Sequence, residues 1–288
     1  MTLQVRSFGF IGAGRLAASL SAALQESGYP VTAVASRNAH TAETLSSALG
    51  GGVQAGTAAS VAGTCDLVFL TVADAEISAL SAGLPWRAGH AVVHCSGALD
   101  LTVLDAASNR GAFAGCLHPL QSFPSRSPEP ARFKGIFCGI EVPAPLAAFL
   151  EQAVRAVGAH SFPLEGVDRR LYHAAAVFAS NEVVALMSAA SRLWAAAGLP
   201  ATTAREALSP LLLAAASNVA RQPLAQALTG PVARGDVATV RRHLEALAGE
   251  PDLDRLYRLL SAELLRLDLG HSPETAAQLA ALLDQTHE

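Results

Sequence analysis

Apolar and polar residues follow two rhythms along the chain. Up to about residue 164, short β-rich runs alternate with alanine-rich helical stretches, and VRSFGFIG, VTAVAS, CDLVFLTV, HAVVHCSG, GAFAGCLH and GIFCGIEV read as strands. Several of these runs are apolar throughout, as strands buried on both faces of a parallel sheet are. Helical patterns stand between most of them, the alternation of an open α/β sheet. After Pro163 the rhythm changes, and from Val167 onward helical periodicity dominates, with breaks at GLPAT, QP, TGP, GEPD and GHSP. Asp252 and Ser272 stand where helix N-caps are expected. The pattern therefore predicts an α/β fold, with a doubly wound, mostly parallel sheet over residues 1–164 and an all-α C-terminal domain over 165–288.

One segment fits neither rhythm. HPLQSFPSRSPEPARFK, residues 118–134, holds four prolines and little periodicity. It reads as a long loop inside the first domain: a lid or substrate loop, a plain surface excursion, or a disordered stretch.

Composition narrows the function classes. A formal net charge of −4 over 288 residues gives no basic footprint for nucleic acid, so small-molecule chemistry leads. Cys65, Cys95, Cys116 and Cys138 lack metal or redox-pair spacing, and a chain this long needs no staples; they read as reduced thiols of a cytoplasmic protein. The chain is 51% hydrophobic, with alanine the largest share, yet no unbroken run of eighteen apolar residues occurs, so no membrane span is expected. The opening MTLQVRSFGFIGAGRLA has some features of a signal peptide, but Arg15 in mid-stretch and the glycine pattern argue otherwise.

Those glycines carry the first chemistry. GFIGAGRLA sets Gly12, Gly14 and Ala17 in a G-x-G-x-x-A arrangement directly after a strand and at the opening of a helix. Gly12 allows the tight turn, Gly14 lets a pyrophosphate approach the backbone, and Ala17 lets helix and strand pack closely. With Arg15 and Leu16 on the same loop, this is a Rossmann-type dinucleotide site. About twenty residues further on, an NAD enzyme places an acid to hold the ribose 2′-hydroxyl. Ser36, Arg37 and Asn38 stand there instead, with no carboxylate to repel a 2′-phosphate and a guanidinium to pair with one, which favours NADP. Ser36 or Asn38 can also serve as the N-cap of the following helix.

Other candidates lie at strand ends. FLTVADAEI brings Thr71, Val72 and Ala73 to the C-terminal edge of the sheet, where such folds bind ligands, with Asp74 expected as a helix N-cap. HCSGALD brings Ser96 and Gly97 to the same edge, Ser96 as a hydrogen-bond donor to substrate; His94, deeper on the same face, reads as a core histidine.

GFIGAGRLA, HCSGAL, CLHPLQSF, YHAAAVFASN and LTGPVARGD, in this order, resemble a group of two-domain proteins with a Rossmann-like domain followed by a helical domain of unknown function. That group is similar to the wider superfamily of 6-phosphogluconate dehydrogenase, ketopantoate reductase, pyrroline-5-carboxylate reductase and prephenate dehydrogenase. The resemblance implies an NADP-linked reductase or dehydrogenase with its active site between the two domains. In some branches the first helix of the second domain presents a catalytic lysine and, four residues later, an asparagine. If Asn181 is that asparagine, Val177 stands at the lysine position, and the sole lysine of the chain is Lys134.

A carbonyl or imine that accepts hydride still needs a proton, and histidine is suited to give one near neutral pH. His118 opens HPLQSF and resembles the substrate-contacting histidine of prephenate dehydrogenases. His173 precedes Asn181 by eight residues, about 12 Å along a helix and offset by about 80° around it. Each histidine has a plain structural alternative, a turn cap for His118 and a carbonyl partner for His173. Asn181 would orient a substrate carboxylate or the nicotinamide amide. Gln121 and Arg234 are candidate substrate ligands; Arg234 has as its alternative a buried pair with Asp236, itself expected as an N-cap. Arg241, Arg242 and His243 read as a solvated or dimer-facing surface.

Three functions follow. The leading one is reduction of a small oxo acid or imine by NADPH, with ketopantoate-like substrates in first place. The second is an oxidative dehydrogenase of the prephenate type, and the third a non-catalytic NADP-binding or redox-sensing protein. The alanine-rich second domain suits a homodimer; no metal, nucleic-acid or membrane partner is expected.

Overall fold

The computed structural model describes residues 5–284, so the first four residues of the stretch weighed above as a signal peptide lie outside the described residues. The strands are β1 (Phe8–Ile11), β2 (Val31–Ala35), β3 (Gln54–Gly56), β4 (Leu67–Leu70), β5 (Ala91–His94), β6 (Phe113–Pro119), β7 (Phe137–Glu141) and β8 (His160–Pro163). The helices of this region are α1 (Arg15–Glu26), α2 (Ala39–Leu49), α3 (Ala58–Thr64), α4 (Asp74–Ala82), α5 (Asp105–Ser108) and α6 (Ala144–Ala156), with 3-10 turns at Leu101–Leu104 and Pro130–Phe133. Then come α7 (Arg169–Ala196), α8 (Ala201–Arg221), α9 (Leu224–Ala227), α10 (Pro231–Arg234), α11 (Val237–Leu247), α12 (Pro251–Leu264) and α13 (Pro273–Asp284).

The sheet runs β3-β2-β1-β4-β5-β6-β7-β8. Its first six strands are parallel in the dinucleotide-binding order, β7 runs antiparallel to β6, and β8 is parallel to β7. The chain reverses between β1 and β4, which opens a crevice at their C-terminal ends. Period-two alternation assigns the two faces. Phe8 and Phe10 of β1 and Phe69 of β4 pack with Leu20 and Leu24 of α1 and Leu146 and Leu150 of α6, and Phe10 stacks on Phe69 with ring centres 5.0 Å apart. Ile11, Val68, Leu70 and Val92 face the other way onto Val61 of α3, Ile77 of α4 and Leu104. Both faces are dry, which is why these strands read as continuous apolar runs.

The sheet ends at Pro163 and every later element is helical. Two compact units divide the chain between Ser180 and Asn181, inside α7. The second unit has its own core of Val232, Val240, Leu244, Leu279, Leu282 and Leu283. Beside it Arg258 is buried, donating to Asp254 at 2.7 Å and to the Leu282 carbonyl at 2.6 Å.

Two local expectations are corrected. Asp252 is the second residue of α12, with Glu250 at the N-cap, whereas Ser272 does accept from the Thr275 amide at 3.2 Å ahead of α13. By length and composition, α7 is long and apolar enough to cross a membrane. A search for unbroken apolar runs misses this, because single His, Ser and Asn residues weigh little in an average. Its first turn, however, is built into the sheet unit through Arg169, which is buried against Glu141 of β7.

Candidate active site

The glycine loop fits the cofactor its pattern implies. Gly12 has φ of 107°, and a Cβ there would lie 2.4 Å from the Thr71 carbonyl, so only glycine passes this close to the end of β4. At Gly14 a Cβ would meet nothing within 4 Å, leaving open space before the α1 N-terminus, where free backbone amides can receive an anion. Ala17 is fully buried between α1 and the sheet. Thr71 locks the loop by donating to the Gly12 carbonyl at 2.8 Å, and Val72 and Ala73 continue along the edge. Arg15 is exposed at the helix start, with Leu16 partly packed behind it.

A cavity of about 260 Å³ adjoins this loop, lined by Gly14, Ser36, Arg37, Asn38 and Thr41 after β2, and by Arg126. Asn38 also caps α2, accepting from the Thr41 amide at 3.4 Å. Arg37 is exposed and pairs with Glu76 at 2.5 Å, a contact worth at most about 1 kcal/mol at such a surface position.

Further along the edge, the ends of β5 and β6 meet the first turn of α7. Ser96 differs from the expectation of a free donor: its hydroxyl donates to Asp74 at 2.6 Å and accepts from the Ala98 and Leu99 amides. Its one proton is committed, so Ser96 builds the loop rather than presenting a hydrogen bond. Asp74 is correspondingly not the N-cap; Ala73 is, and the Asp74 carboxylate serves Ser96. His94 is fully buried, accepts the Ser96 amide at 3.2 Å through Nδ1, and has its pKa lowered to about 4 by burial first and the nearby Arg169 second. It is a core histidine.

His118 stands at the end of β6 with its Nδ1 2.7 Å from the Tyr172 hydroxyl. Gly97 allows this placement: a Cβ there would lie 2.6–2.9 Å from three atoms of the imidazole ring. Burial, then His173, then Arg169 hold the pKa of His118 down, to about 4, so the ring is neutral at physiological pH. The Tyr172 phenol is pushed up to about 12, mainly by burial. The His173 ring lies 6.0 Å from that of His118, and its buried Nδ1 has no hydrogen-bond partner among the described residues. Arg169 closes the floor, with Glu141 on one side and the Cys116 sulfur at 3.5 Å on the other. Burial raises the pKa values of Cys116 and Cys138 to about 11 and about 12, so these thiols are not nucleophiles.

Gln121 is exposed and accepts the Ser122 amide at 2.9 Å. Asn181 opens the second unit on an exposed turn of α7, and Val177 is partly buried one turn earlier. Arg234 is exposed, and the alternative of a buried pair with Asp236 is overturned: Asp236 caps α11, accepting from the Thr239 amide at 3.0 Å and the Thr239 hydroxyl at 2.7 Å. Arg241, Arg242 and His243 are exposed, and His243 meets the Tyr257 hydroxyl at 2.9 Å.

Comparison with known proteins agrees with this geometry. Residues 7–97 match the family described as NADP oxidoreductase, coenzyme F420-dependent, and residues 136–264 match a domain of unknown function, DUF2520. The two matches lie in succession along the chain, the NADP oxidoreductase model on the first five strands and the DUF2520 model from β7 into α12. Among solved structures, a Bacteroides fragilis protein assigned as an NADP oxidoreductase is 26% identical with a TM-score of 0.71, the match covering 91% of this chain and 99% of that one. A Thermotoga maritima protein is also 26% identical, with a TM-score of 0.68 over 94% and 98% of the two chains. The Streptococcus pyogenes 1-pyrroline-5-carboxylate reductase shares the fold at 15% identity and a TM-score of 0.62, over 91% and 98%. No curated protein matches.

The NADP-binding character of the first domain directs attention to one edge of the sheet rather than to the larger cavity of about 890 Å³. That cavity is lined by Ala112, Phe113 and Ala114 at the start of β6, the opposite edge from the glycine loop. Asp105, Glu141, Glu151 and Glu165 face it, no cationic side chain does, and an anionic cofactor or substrate is repelled there.

Sequence reasoning missed Arg169, Tyr172 and Arg126. For the first two a signal exists: Arg169, Tyr172 and His173 are spaced i, i+3, i+4 and so share one face of α7, the face that meets His118. Arg126 carries no such periodicity, since it stands in the proline-rich loop.

Proposed function

We propose that this NADP-dependent oxidoreductase reduces a small oxo acid or imine, with ketopantoate-like acids the leading substrate class. The reaction is placed at the sheet edge formed by Gly97, His118, Tyr172 and His173. The observation that carries this reading is the 2.7 Å contact between His118 and Tyr172 in a pocket where both are neutral.

NADPH supplies the hydride when bound. Gly12, Gly14, Arg15 and Leu16 would hold its pyrophosphate at the α1 N-terminus, Ser36, Arg37 and Asn38 would receive the 2′-phosphate, and Thr71, Val72 and Ala73 would line the edge beside it. Hydride arrival leaves negative charge on the substrate oxygen or nitrogen, which must be met by a proton. With a pKa near 4, His118 holds no resting charge to give away, so the donor is the hydrogen-bonded pair rather than a lone imidazolium. In the tautomer with hydrogen on Nδ1, His118 donates to the Tyr172 oxygen and frees the phenolic hydrogen for substrate. Tyr172 gives up that proton and takes the Nδ1 proton as His118 gains one at Nε2 from a water whose hydroxide leaves to solvent, and exchange with solvent then returns the hydrogen of His118 to Nδ1. His173, with an unpartnered Nδ1 beside the pair, orients the substrate or the incoming water.

The four described cysteines are free and buried, which suits a cytoplasmic setting. A second copy of the chain is proposed to cover α7 and α8, where Leu171, Phe178, Val184, Leu211 and Leu213 are each more than two-thirds exposed.

The test is nicotinamide oxidation by the purified protein against a panel of 2-oxo acids, cyclic imines and carbonyl–amine pairs. Turnover with one class is expected. NADP-linked oxidation of a cyclic hydroxy acid alone selects the prephenate-type reading, and tight NADPH binding with no turnover anywhere selects the redox-sensing one.

A further inference from the structure

The proline-rich loop between β6 and the turn at Pro130–Phe133 packs beside the cofactor domain's first helix. The amide of Glu129 donates to Ser19 on α1 at 3.2 Å, and Ser19 is itself buried. Phe123 packs on Phe133, with ring centres 5.4 Å apart, and Phe133 is fully buried in the core that includes α1. Arg126 stands midway between these two anchors. It is bracketed by a turn in which the Ser127 amide donates to the Ser125 hydroxyl at 3.0 Å, and then by Pro124 and Pro128, whose fixed φ reduces the freedom of the segment. This local order brings Arg126 into the 260 Å³ cavity already lined by Gly14, Ser36, Arg37, Asn38 and Thr41.

Charge defines what that cavity takes. Two guanidinium groups line it and no carboxylate does. Arg37 is turned towards Glu76, while Arg126 has no ion-pair partner among the described residues. Hydroxyls and amides of Ser36, Asn38 and Thr41 supply further donors. A compact dianion, held by planar guanidinium groups from two directions, matches this set.

We propose that Arg126 is a second ligand for the 2′-phosphate of NADP, and that the proline-rich loop is a clamp on the adenosine end of the cofactor rather than a lid over substrate. The inference rests on the assignment of the glycine loop as the NADP site. Because Glu76 competes for Arg37, discrimination between NADP and NAD depends on both arginines. Arg126 sets specificity; it takes no part in the chemistry.

The experiment is direct binding by calorimetry of NADPH and NADH to the wild type and to Arg126→Ala, Arg126→Lys and Arg37→Ala. Charged hydrogen bonds of this kind are worth about 10- to 100-fold in affinity, so Arg126→Ala is expected to weaken NADPH by that factor while leaving NADH within about twofold. Arg126→Lys should recover part of the loss. Equal weakening of both nucleotides, or no weakening of either, overturns the role of Arg126. If Arg37→Ala alone loses the preference, the cofactor assignment stands and the loop inference falls. If the wild type itself shows no preference for NADPH, both fall.

Discussion

Gly97 fixes how closely the end of β5 approaches His118, and the missing Cβ is a condition for the His118–Tyr172 contact. Gly97→Ala places a methyl group under 3 Å from three ring atoms and forces His118 off Tyr172. Displacements of that order cost about 100-fold in rate, and the expected result is such a fall in kcat with the NADPH Kd unchanged. An unchanged kcat contradicts the pairing. Titration gives a second test. His94 and His118 both have pKa values near 4 in the folded protein, against 6.5 for an ordinary histidine. Their unfolded forms bind protons more readily, so the stability they contribute is whole above pH 6.5 and is lost as pH falls from there towards 4. Each group contributes a slope of at most about 1.4 kcal/mol per pH unit. Urea unfolding between pH 7 and pH 4.5 should show the fall, and His118→Asn should flatten it; a flat wild-type profile contradicts the burial argument. At this scale the sequence was legible where a residue sits in a motif, as Gly12 and His118 do. It was silent where the partner comes from another element, as Tyr172 does for His118 and Asp74 for Ser96.

The elements divide in the same way. β1, β4 and β5 were legible because burial on both faces leaves an unbroken apolar run. β3 and β8 were not, because neither is buried on both faces: β3 is exposed along its length and β8 is half open. The long helix α7 was legible as a helix, but its attachment was not: Arg169 looks like a surface cation until β7 brings Glu141 beside it. Removing one partner of a buried pair leaves an uncompensated charge, at a cost of about 3 kcal/mol or more. Glu141→Ala should therefore lower the stability of the protein by about that amount in chemical denaturation, and the double change Glu141→Leu with Arg169→Met should restore much of it. A loss below about 1 kcal/mol for the single variant contradicts a closed pair.

For the whole molecule, the order of strands brings the glycine loop after β1 and the His118–Tyr172 pair to one edge of the sheet, the edge on which the nucleotide and the reaction are proposed to meet. The alanine-rich helices also led to the expectation of a homodimer. Of the residues in α7 and α8, only Arg169 and Ala204 are buried, so these helices present apolar faces that a second copy is proposed to cover. Sedimentation velocity should give a dimer across the accessible concentration range, shifted to monomer by Phe178→Asp with Leu211→Asp; a monomer at every concentration contradicts that proposal. Tyr172, backed by His118, is proposed to protonate the substrate after hydride transfer. Single-turnover oxidation of NADPH by Tyr172→Phe, with the substrate class found for the wild type, tests it most directly. A loss of about 100-fold or more in rate with NADPH affinity preserved is expected, and a rate equal to the wild type contradicts the role of Tyr172.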